Sequence, residues 1–257
     1  MPTSNEKFLV GLVGPKVLEA IEQDSLNPVF LDLQACNALE IRYDFFDTAL
    51  WPKLSERLRK VAPHAIQIGT IRLHRDGGKF PDRDVTVRPD LWKGILGATE
   101  VPEWLDLERD CLSQFADLKK EASARGTRIL VSEHNFVRIP GDQELKILVD
   151  DARRVKADGL KIAAMSNSES DCDRLYKFAK KYSKHFDLFA AFGMGDTGRT
   201  SRLWSLKEGA NLTYAAIDAV EAPGQIDVQT MKKALDNFEI IYSQSDLTAF
   251  LSKFRQF

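Results

Sequence analysis

Cysteine is scarce in this sequence, and its placement is unlike that of a disulfide-stapled or zinc-binding domain. The 257 residues include three cysteines, Cys36, Cys111 and Cys172, which lie far apart along the chain. An odd and dispersed set matches neither a disulfide framework nor the spacing of a zinc site. Because disulfides are rare in reducing compartments, we expect buried or incidental thiols and a cytoplasmic location.

Long apolar runs and an excess of charge are also missing. No uninterrupted apolar stretch is long enough to span a bilayer, and residues 1–7 are polar, without the apolar core of a signal peptide. The formal net charge is only -2, which favours neither nucleic acid nor a lipid surface as a partner. We therefore expect no nucleic-acid partner and no membrane association.

What the sequence does contain is a regular alternation of short apolar strands and amphipathic helices. We predict eight strands, at residues 8–14, 38–44, 65–72, 104–108, 127–132, 160–165, 186–193 and 212–217. Eight strand–helix units fit a closed (β/α)8 barrel better than an open sheet, and no Gly-x-Gly-x-x-Gly motif follows the first strand. The prediction is an α/β protein with one TIM-barrel domain over 1–257, ending in a helix at about 247–257.

A lysine and a histidine on neighbouring predicted strands carry the strongest chemical signal. Lys161 lies within the apolar sixth strand, and His134 lies at the end of the fifth. A buried ammonium is costly unless it is paired or loses its proton, and a neutral lysine attacks carbonyl carbons. The pair indicates imine chemistry with a nearby proton shuttle, although a strand-end lysine can also reach solvent along its own stem.

Other charged residues gather at the predicted strand ends. Glu40 and Arg42 are two residues apart, so both side chains point to one face of the second strand. They could form an internal salt bridge or contact a ligand, and Arg202, after the seventh strand, could be a ligand contact or a helix-surface cation. Barrel enzymes place their chemistry at the carboxyl ends of strands, which favours a common site for these residues.

The order and spacing of six motifs resemble those of type I 3-dehydroquinate dehydratases over nearly the whole chain. The motifs are Glu40-Ile41-Arg42-Tyr43-Asp44, Thr70-Ile71-Arg72 with Asp76-Gly77-Gly78, Ser132-Glu133-His134-Asn135-Phe136, Leu160-Lys161-Ile162-Ala163, Ser201-Arg202, and Ala222-Pro223-Gly224-Gln225-Ile226. The resemblance implies a hydro-lyase of the shikimate pathway that removes water from a cyclic β-hydroxyketone, 3-dehydroquinate. It implies no metal or organic cofactor, and it implies a homodimer.

The resemblance also assigns roles to single residues. Lys161 would form the imine, and His134 would move the proton, with Asp76 orienting the histidine. The remaining positions would bind substrate: Glu40, Arg42 and Arg72 at the ring hydroxyls, Arg202 and Gln225 at the carboxylate and ring oxygens, and Met194 and Glu221 beside them. An arginine fork suits a carboxylate.

Two positions depart from the family pattern. Glu221 stands where the family usually has serine, and Asp76 stands where it usually has glutamate. A glutamate at position 221 could repel a substrate carboxylate, or it could pair with Arg202 or a hydroxyl. Two further hypotheses therefore remain open: a Schiff-base lyase or aldolase acting on a different hydroxyketone, and a non-catalytic relative that binds a metabolite.

Overall fold

A computed structural model describes residues 6–23, 27–114, 116–217 and 224–253. Its eight strands form one parallel sheet in the order β7-β6-β5-β4-β3-β2-β1-β8. They are β1 (Phe8–Val13), β2 (Ala38–Arg42), β3 (Ile66–Thr70), β4 (Trp104–Glu108), β5 (Arg128–Asn135), β6 (Gly159–Met165), β7 (Leu188–Met194) and β8 (Leu212–Ala215). Because consecutive strands pair in parallel, each connection must cross over the sheet, and helices provide these crossovers.

The described helices occupy the segments between the strands. They are α1 (Pro15–Gln23), α2 (Val29–Ala35), α3 (Trp51–Val61), α4 (Arg88–Leu96), α5 (Ala116–Ala124), α6 (Asp142–Arg154), α7 (Cys172–Tyr182), α8 (Ser201–Lys207), α9 (Val228–Asp236) and α10 (Gln244–Ser252). Within the described ranges, every helix is too short or too polar to cross a membrane.

The two end strands of the sheet, β7 and β8, contact each other, so the barrel is nearly closed. Asn211, just before β8, forms hydrogen bonds to β7 with both its backbone and its side chain. Its backbone N–H donates to the carbonyl of Phe189 at 3.0 Å, and its Oδ1 accepts the Phe189 N–H at 2.8 Å. The predicted (β/α)8 barrel is thereby confirmed.

Two apolar cores result from the alternation of side chains along each strand. Odd-numbered β1 residues such as Leu9 and Val13 pack outward against the helices. Even-numbered residues such as Phe8 and Val10 pack inside the barrel against Ile68 and Leu130. A strand of period two sends alternate residues to opposite faces, so each strand contributes to both cores.

Several predicted boundaries are wrong, and the reasons are local. β5 continues to Asn135, so His134 lies within the strand, whereas β3 ends at Thr70 and leaves Arg72 two residues beyond it. The final helix begins at Gln244 rather than at 247, because Ser243 caps it by accepting the N–H of Asp246 at 3.1 Å. It ends at Ser252, and the predicted residues 254–257 lie outside the described part of the chain.

Candidate active site

One pocket opens at the carboxyl ends of the strands, the usual position of active sites in this fold. It has about 630 Å³ of empty volume, and its floor is formed by inward-facing strand residues. Nine residues predicted for the site line it: Glu40, Arg42, Arg72, Asp76, His134, Lys161, Met194, Arg202 and Gln225. The tenth, Glu221, lies outside the described residues.

Lys161 lies at the floor of the pocket with 4% of its surface exposed. Its Nζ is 3.0 Å from Oε2 of Glu40 and 3.1 Å from Oδ2 of Asp106. The ring centroid of Tyr214 is 4.1 Å from the same nitrogen, within range of a cation–π contact. The lysine therefore points into the barrel rather than toward solvent, and two carboxylates from strands β2 and β4 fix the position of its amine.

Arg72 and Ser132 hold the second of these carboxylates in place. Nη2 of Arg72 lies 2.8 Å from Oδ2 of Asp106, and the Ser132 hydroxyl donates to Oδ1 of Asp106 at 2.5 Å. Nη1 of Arg72 donates to the Ser132 hydroxyl at 3.0 Å. Burial works against the charge on Asp106, but Arg72 and Lys161 outweigh it and lower the pKa of that carboxyl. Asp106 is thus a buried, ionised anchor for Lys161.

His134 faces the same pocket from β5. Burial, together with the positive charges of Arg72 and Lys161, lowers the pKa of His134 well below its ordinary value. Its imidazole is therefore neutral near neutral pH, which is the form that can accept a proton. Its buried Nδ1 has no hydrogen-bond partner among the described residues.

Asp76 enters the pocket from the loop that follows β3. No hydrogen bond joins Asp76 to His134 in the described structure. An interaction between the two would therefore require the loop to move or a substrate to bind. Burial and the negative charge of Glu108 raise the pKa of Asp76 to about 6. The carboxyl therefore changes charge close to the physiological range.

A loop of residues 72–80 carries Asp76, and Asp44 binds both ends of this loop. The carboxylate of Asp44 accepts the backbone N–H of Arg72 at 3.2 Å and that of Lys79 at 2.9 Å. It also accepts hydrogen bonds from Nε and Nη2 of Arg42, at 3.0 and 2.8 Å. Gly78 is needed in this loop, because a Cβ there would lie 2.0 Å from the carbonyl oxygen of Arg72.

The opposite wall of the pocket is formed by Arg202 and the segment after β8. Nε of Arg202 donates to the carbonyl of Gly224 at 3.0 Å, and its guanidinium lies 4.5 Å from the ring centroid of Phe192. Burial, with the neighbouring charge of Arg199, lowers the pKa of Arg202 to about 10. At 2% exposure Arg202 is a pocket residue, and the helix-surface alternative is wrong.

Comparison with known proteins places most of the chain in one family. The family model of type I 3-dehydroquinase matches residues 10–242. A curated 3-dehydroquinate dehydratase of Methanosarcina barkeri is 31% identical over 206 residues, which is 78% of this chain and 85% of that protein.

The chain belongs to the type I 3-dehydroquinase family. Another curated relative, a 3-dehydroquinate dehydratase of Coxiella burnetii, is 28% identical over 238 residues, or 89% of this chain and 96% of that protein. Among solved structures, the 3-dehydroquinate dehydratase of Geobacillus kaustophilus has a TM-score of 0.78 at 23% identity, covering 93% of each chain. The type I enzyme of Clostridium difficile, crystallised with covalently modified comenic acid, has the same TM-score at 22% identity, covering 93% of this chain and 94% of that one.

The pocket of this 3-dehydroquinase-family protein also contains residues that belong to none of the six sequence motifs. Tyr214 and Phe192 line the pocket as well. Strand alternation could have found Tyr214, since it shares the inward face of β8 with Leu212. In the described part of the chain, no group of three or more His, Cys, Asp or Glu side chains is placed to hold a metal ion.

Proposed function

We propose that this 3-dehydroquinase-family protein is a 3-dehydroquinate dehydratase that acts through a Schiff base on Lys161. The observation that supports this most directly is the placement of a buried lysine amine and a neutral histidine in one pocket. The reaction is the elimination of water from 3-dehydroquinate to give 3-dehydroshikimate. The protein is accordingly a hydro-lyase of the shikimate pathway, which supplies aromatic amino-acid biosynthesis.

The first step requires Lys161 to be neutral. Its ammonium can pass a proton to its carboxylate neighbour Glu40 or to water, while Asp106 stays ionised. The amine lone pair then attacks the ring ketone, and loss of water from the carbinolamine gives a protonated imine. The positive imine draws electrons from the adjacent carbon and makes its C–H bond acidic.

His134 carries the proton through the elimination. Its neutral imidazole removes the proton from the carbon next to the imine, and the electron pair moves into an enamine. The same imidazolium then protonates the departing hydroxyl, the C–O bond breaks, and the iminium reforms in conjugation with the new double bond. Because one group acts on one face of the ring, the elimination is syn. Water then hydrolyses the imine, releasing the enone and the free amine.

The remaining pocket residues would hold the substrate. Arg202 and Gln225 face the pocket from one wall and suit the substrate carboxylate, since a guanidinium offers paired donors. Glu40, Arg42 and Arg72 face it from the other side and suit ring hydroxyls. Met194 would pack against the ring, and Asp76 would approach His134 when the loop of residues 72–80 closes on the substrate.

The test is to mix the purified protein with 3-dehydroquinate and follow the ultraviolet absorbance of the conjugated enone. A parallel incubation with borohydride should leave a mass adduct on Lys161. Enone formation together with the adduct would support the proposal. An adduct without enone would favour the Schiff-base lyase or aldolase alternative, and in that case Glu221→Ser should improve affinity for 3-dehydroquinate. The absence of both signals would favour a metabolite-binding role.

The cellular setting we propose is a homodimer in the cytoplasm. The three cysteines are free and buried, which suits a reducing compartment. Next to α10, Ile240 and Tyr242 are 63% and 81% exposed, and large exposed apolar side chains suit a contact with a second copy. Light scattering should then give twice the chain mass of 29.0 kDa. A mass equal to that of a single chain would contradict the dimer.

A further inference from the structure

Arg88 is a fully buried cation that the pocket residues do not account for. It opens helix α4 and has 0% of its surface exposed. A buried charge is costly unless it is paired, and a positive charge at the first turn of a helix is opposed by the helix dipole. Neither core packing nor helix stability therefore explains an arginine at this position.

Arg88 contacts residues that lie between it and the candidate active site. Its Nη1 donates to the carbonyl of Ile71 at 3.0 Å and to Oε2 of Glu108 at 2.5 Å, and its Nη2 lies 2.8 Å from Sγ of Cys111. Burial raises the pKa of Cys111 to about 12, so the thiol is neutral. Of these three partners, Glu108 is the one that supplies negative charge.

Glu108 in turn connects Arg88 to the lysine. Its Oε1 accepts the backbone N–H of Leu73 at 3.2 Å and lies 3.3 Å from Nη1 of Arg72. Arg72 is 2.8 Å from Asp106, and Asp106 is 3.1 Å from the amine of Lys161. Opposite charges thus alternate in a charge row: Arg88, Glu108, Arg72, Asp106, Lys161.

Two carboxylates in the charge row compete for Arg72. Glu108 and Asp106 both lie within ion-pair distance of its guanidinium, at 3.3 and 2.8 Å. Without the cation of Arg88, Glu108 would be a buried carboxylate that attracts Arg72 more strongly. Arg72 would then move away from Asp106, and the negative charge of Asp106 would act on Lys161 with less compensation. An ammonium beside an uncompensated carboxylate holds its proton more firmly.

We infer that Arg88 is a positioning residue for imine formation. By neutralising Glu108 it keeps Arg72 on Asp106, and thereby keeps Lys161 able to lose its proton. Arg88 acts through Glu108 and Arg72 and does not line the pocket. For turnover of 3-dehydroquinate the inference rests on the proposed function, but the readiness of Lys161 to form an imine can be measured with another carbonyl compound.

Substitution of Arg88 leaves the groups that face Lys161 chemically unchanged. They come from β2, β4, β5, β8 and the segment after β3: Glu40, Asp106, His134, Tyr214 and Arg72. A pH effect of an Arg88 substitution therefore arises through these groups, and Glu108 and Cys111 are the titratable neighbours on the Arg88 side.

The test uses glyoxylate, a small aldehyde with a carboxylate, with cyanoborohydride to trap the imine on Lys161 for mass spectrometry. Arg88→Met should reduce trapping about tenfold at neutral pH, with recovery at alkaline pH, because one neighbouring charge shifts a proton equilibrium by about that factor. Arg88→Lys keeps the charge and should trap nearly as wild type does. Arg83→Met, at an exposed arginine of the same segment, is the matched control.

A second comparison tests the role of Arg88 if Arg88→Met does not fold. In a Glu108→Gln background the charge that Arg88 neutralises is gone, so adding Arg88→Met should leave trapping unchanged. A tenfold loss in that background, or trapping at the wild-type level by folded Arg88→Met, would overturn the inference. Wild-type protein assayed with 3-dehydroquinate separates the two proposals: absent enone would contradict the proposed function, while glyoxylate trapping still decides the role of Arg88.

Discussion

The lower and upper halves of the barrel interior are built on the same strands but with opposite chemistry. On β2 the inward side chain of Ala38 is followed by that of Glu40, and on β4 Trp104 is followed by Asp106. Each step covers two residues, or about 7 Å along a strand. The interior therefore changes from a dry apolar layer to a layer of paired charges within one side-chain level.

This difference separates stability from chemistry in the molecule. The lower layer gains free energy by burying apolar surface, whereas buried ion pairs in the upper layer recover little more than their desolvation cost. Charges such as Lys161 and Arg72 are then best explained by what they do to a ligand. Substitutions in the two layers should accordingly affect different measurements.

The largest effect should follow from removing the amine in the upper layer. Lys161→Ala should lower kcat by about 10⁴-fold or more, because no imine can form. The fold should persist, since the variant also removes a costly buried charge, although Glu40 and Asp106 lose a partner. Enone absorbance and circular dichroism measure the two properties, with the exposed Lys146→Ala as the control. Full activity of Lys161→Ala would exclude the imine mechanism.

Loss of the proton shuttle should have the next largest effect. His134→Gln should lower kcat by about 10³-fold, since general acid–base catalysis contributes roughly 10²–10⁴-fold. Borohydride should still trap the substrate on Lys161, because imine formation precedes the histidine steps. The lowered pKa of His134 further predicts that wild-type kcat/KM loses this base only below its ordinary pKa of about 6.5. A variant that neither traps nor turns over substrate would instead indicate a role in binding.

A cavity in the lower layer should lower stability and leave activity nearly unchanged, which is the opposite of the result expected for the upper layer. Leu130→Ala removes a fully buried side chain that packs inside the barrel and should cost about 3 kcal/mol of unfolding free energy. Urea unfolding measures the loss. The kcat of the folded fraction should stay within about twofold, because the charge row lies above this layer. A large fall in kcat without a loss of stability would show that the two layers are not separable.

The smallest effect concerns Asp76 and depends on pH. Its pKa is raised to about 6 in the folded protein, against about 3.9 when unfolded, so folding favours the protonated form. Stability is therefore fully present below the unfolded value and is lost as pH rises toward 6. Asp76→Asn should stabilise the protein by about 1 kcal/mol above pH 6, after allowance for solvent screening, and by little at about pH 4.

Thermal unfolding at the two pH values measures the Asp76 effect. Asp84→Asn, at a partly exposed position eight residues further along the chain, is the control that should change Tm equally little at both. Equal stabilisation by Asp76→Asn at both pH values would show that the carboxyl does not titrate in this range.

Much of the architecture could be predicted from local pattern, because strand alternation and helix periodicity are short-range properties. All eight strands were found, and the shared face of Glu40 and Arg42 follows from their two-residue spacing, while the structure shows that this face lines the pocket. The predicted ends of helices and strands were less accurate, as in β5 and α10, because these ends depend on caps and pairing partners. Helix α4 was not predicted, and with it the buried position of Arg88 was missed.

The strand count, the residue types that reach the barrel interior and the family motifs all follow from local sequence. Which charges meet depends on how the chain folds over long distances. Lys161 pairs with Glu40 across 121 positions of the chain and with Asp106 across 55, and Arg88 reaches Glu108 across 20. Such pairs depend on strand register and closure of the sheet, because an ion pair is governed by distances of a few ångströms that no local sequence pattern encodes.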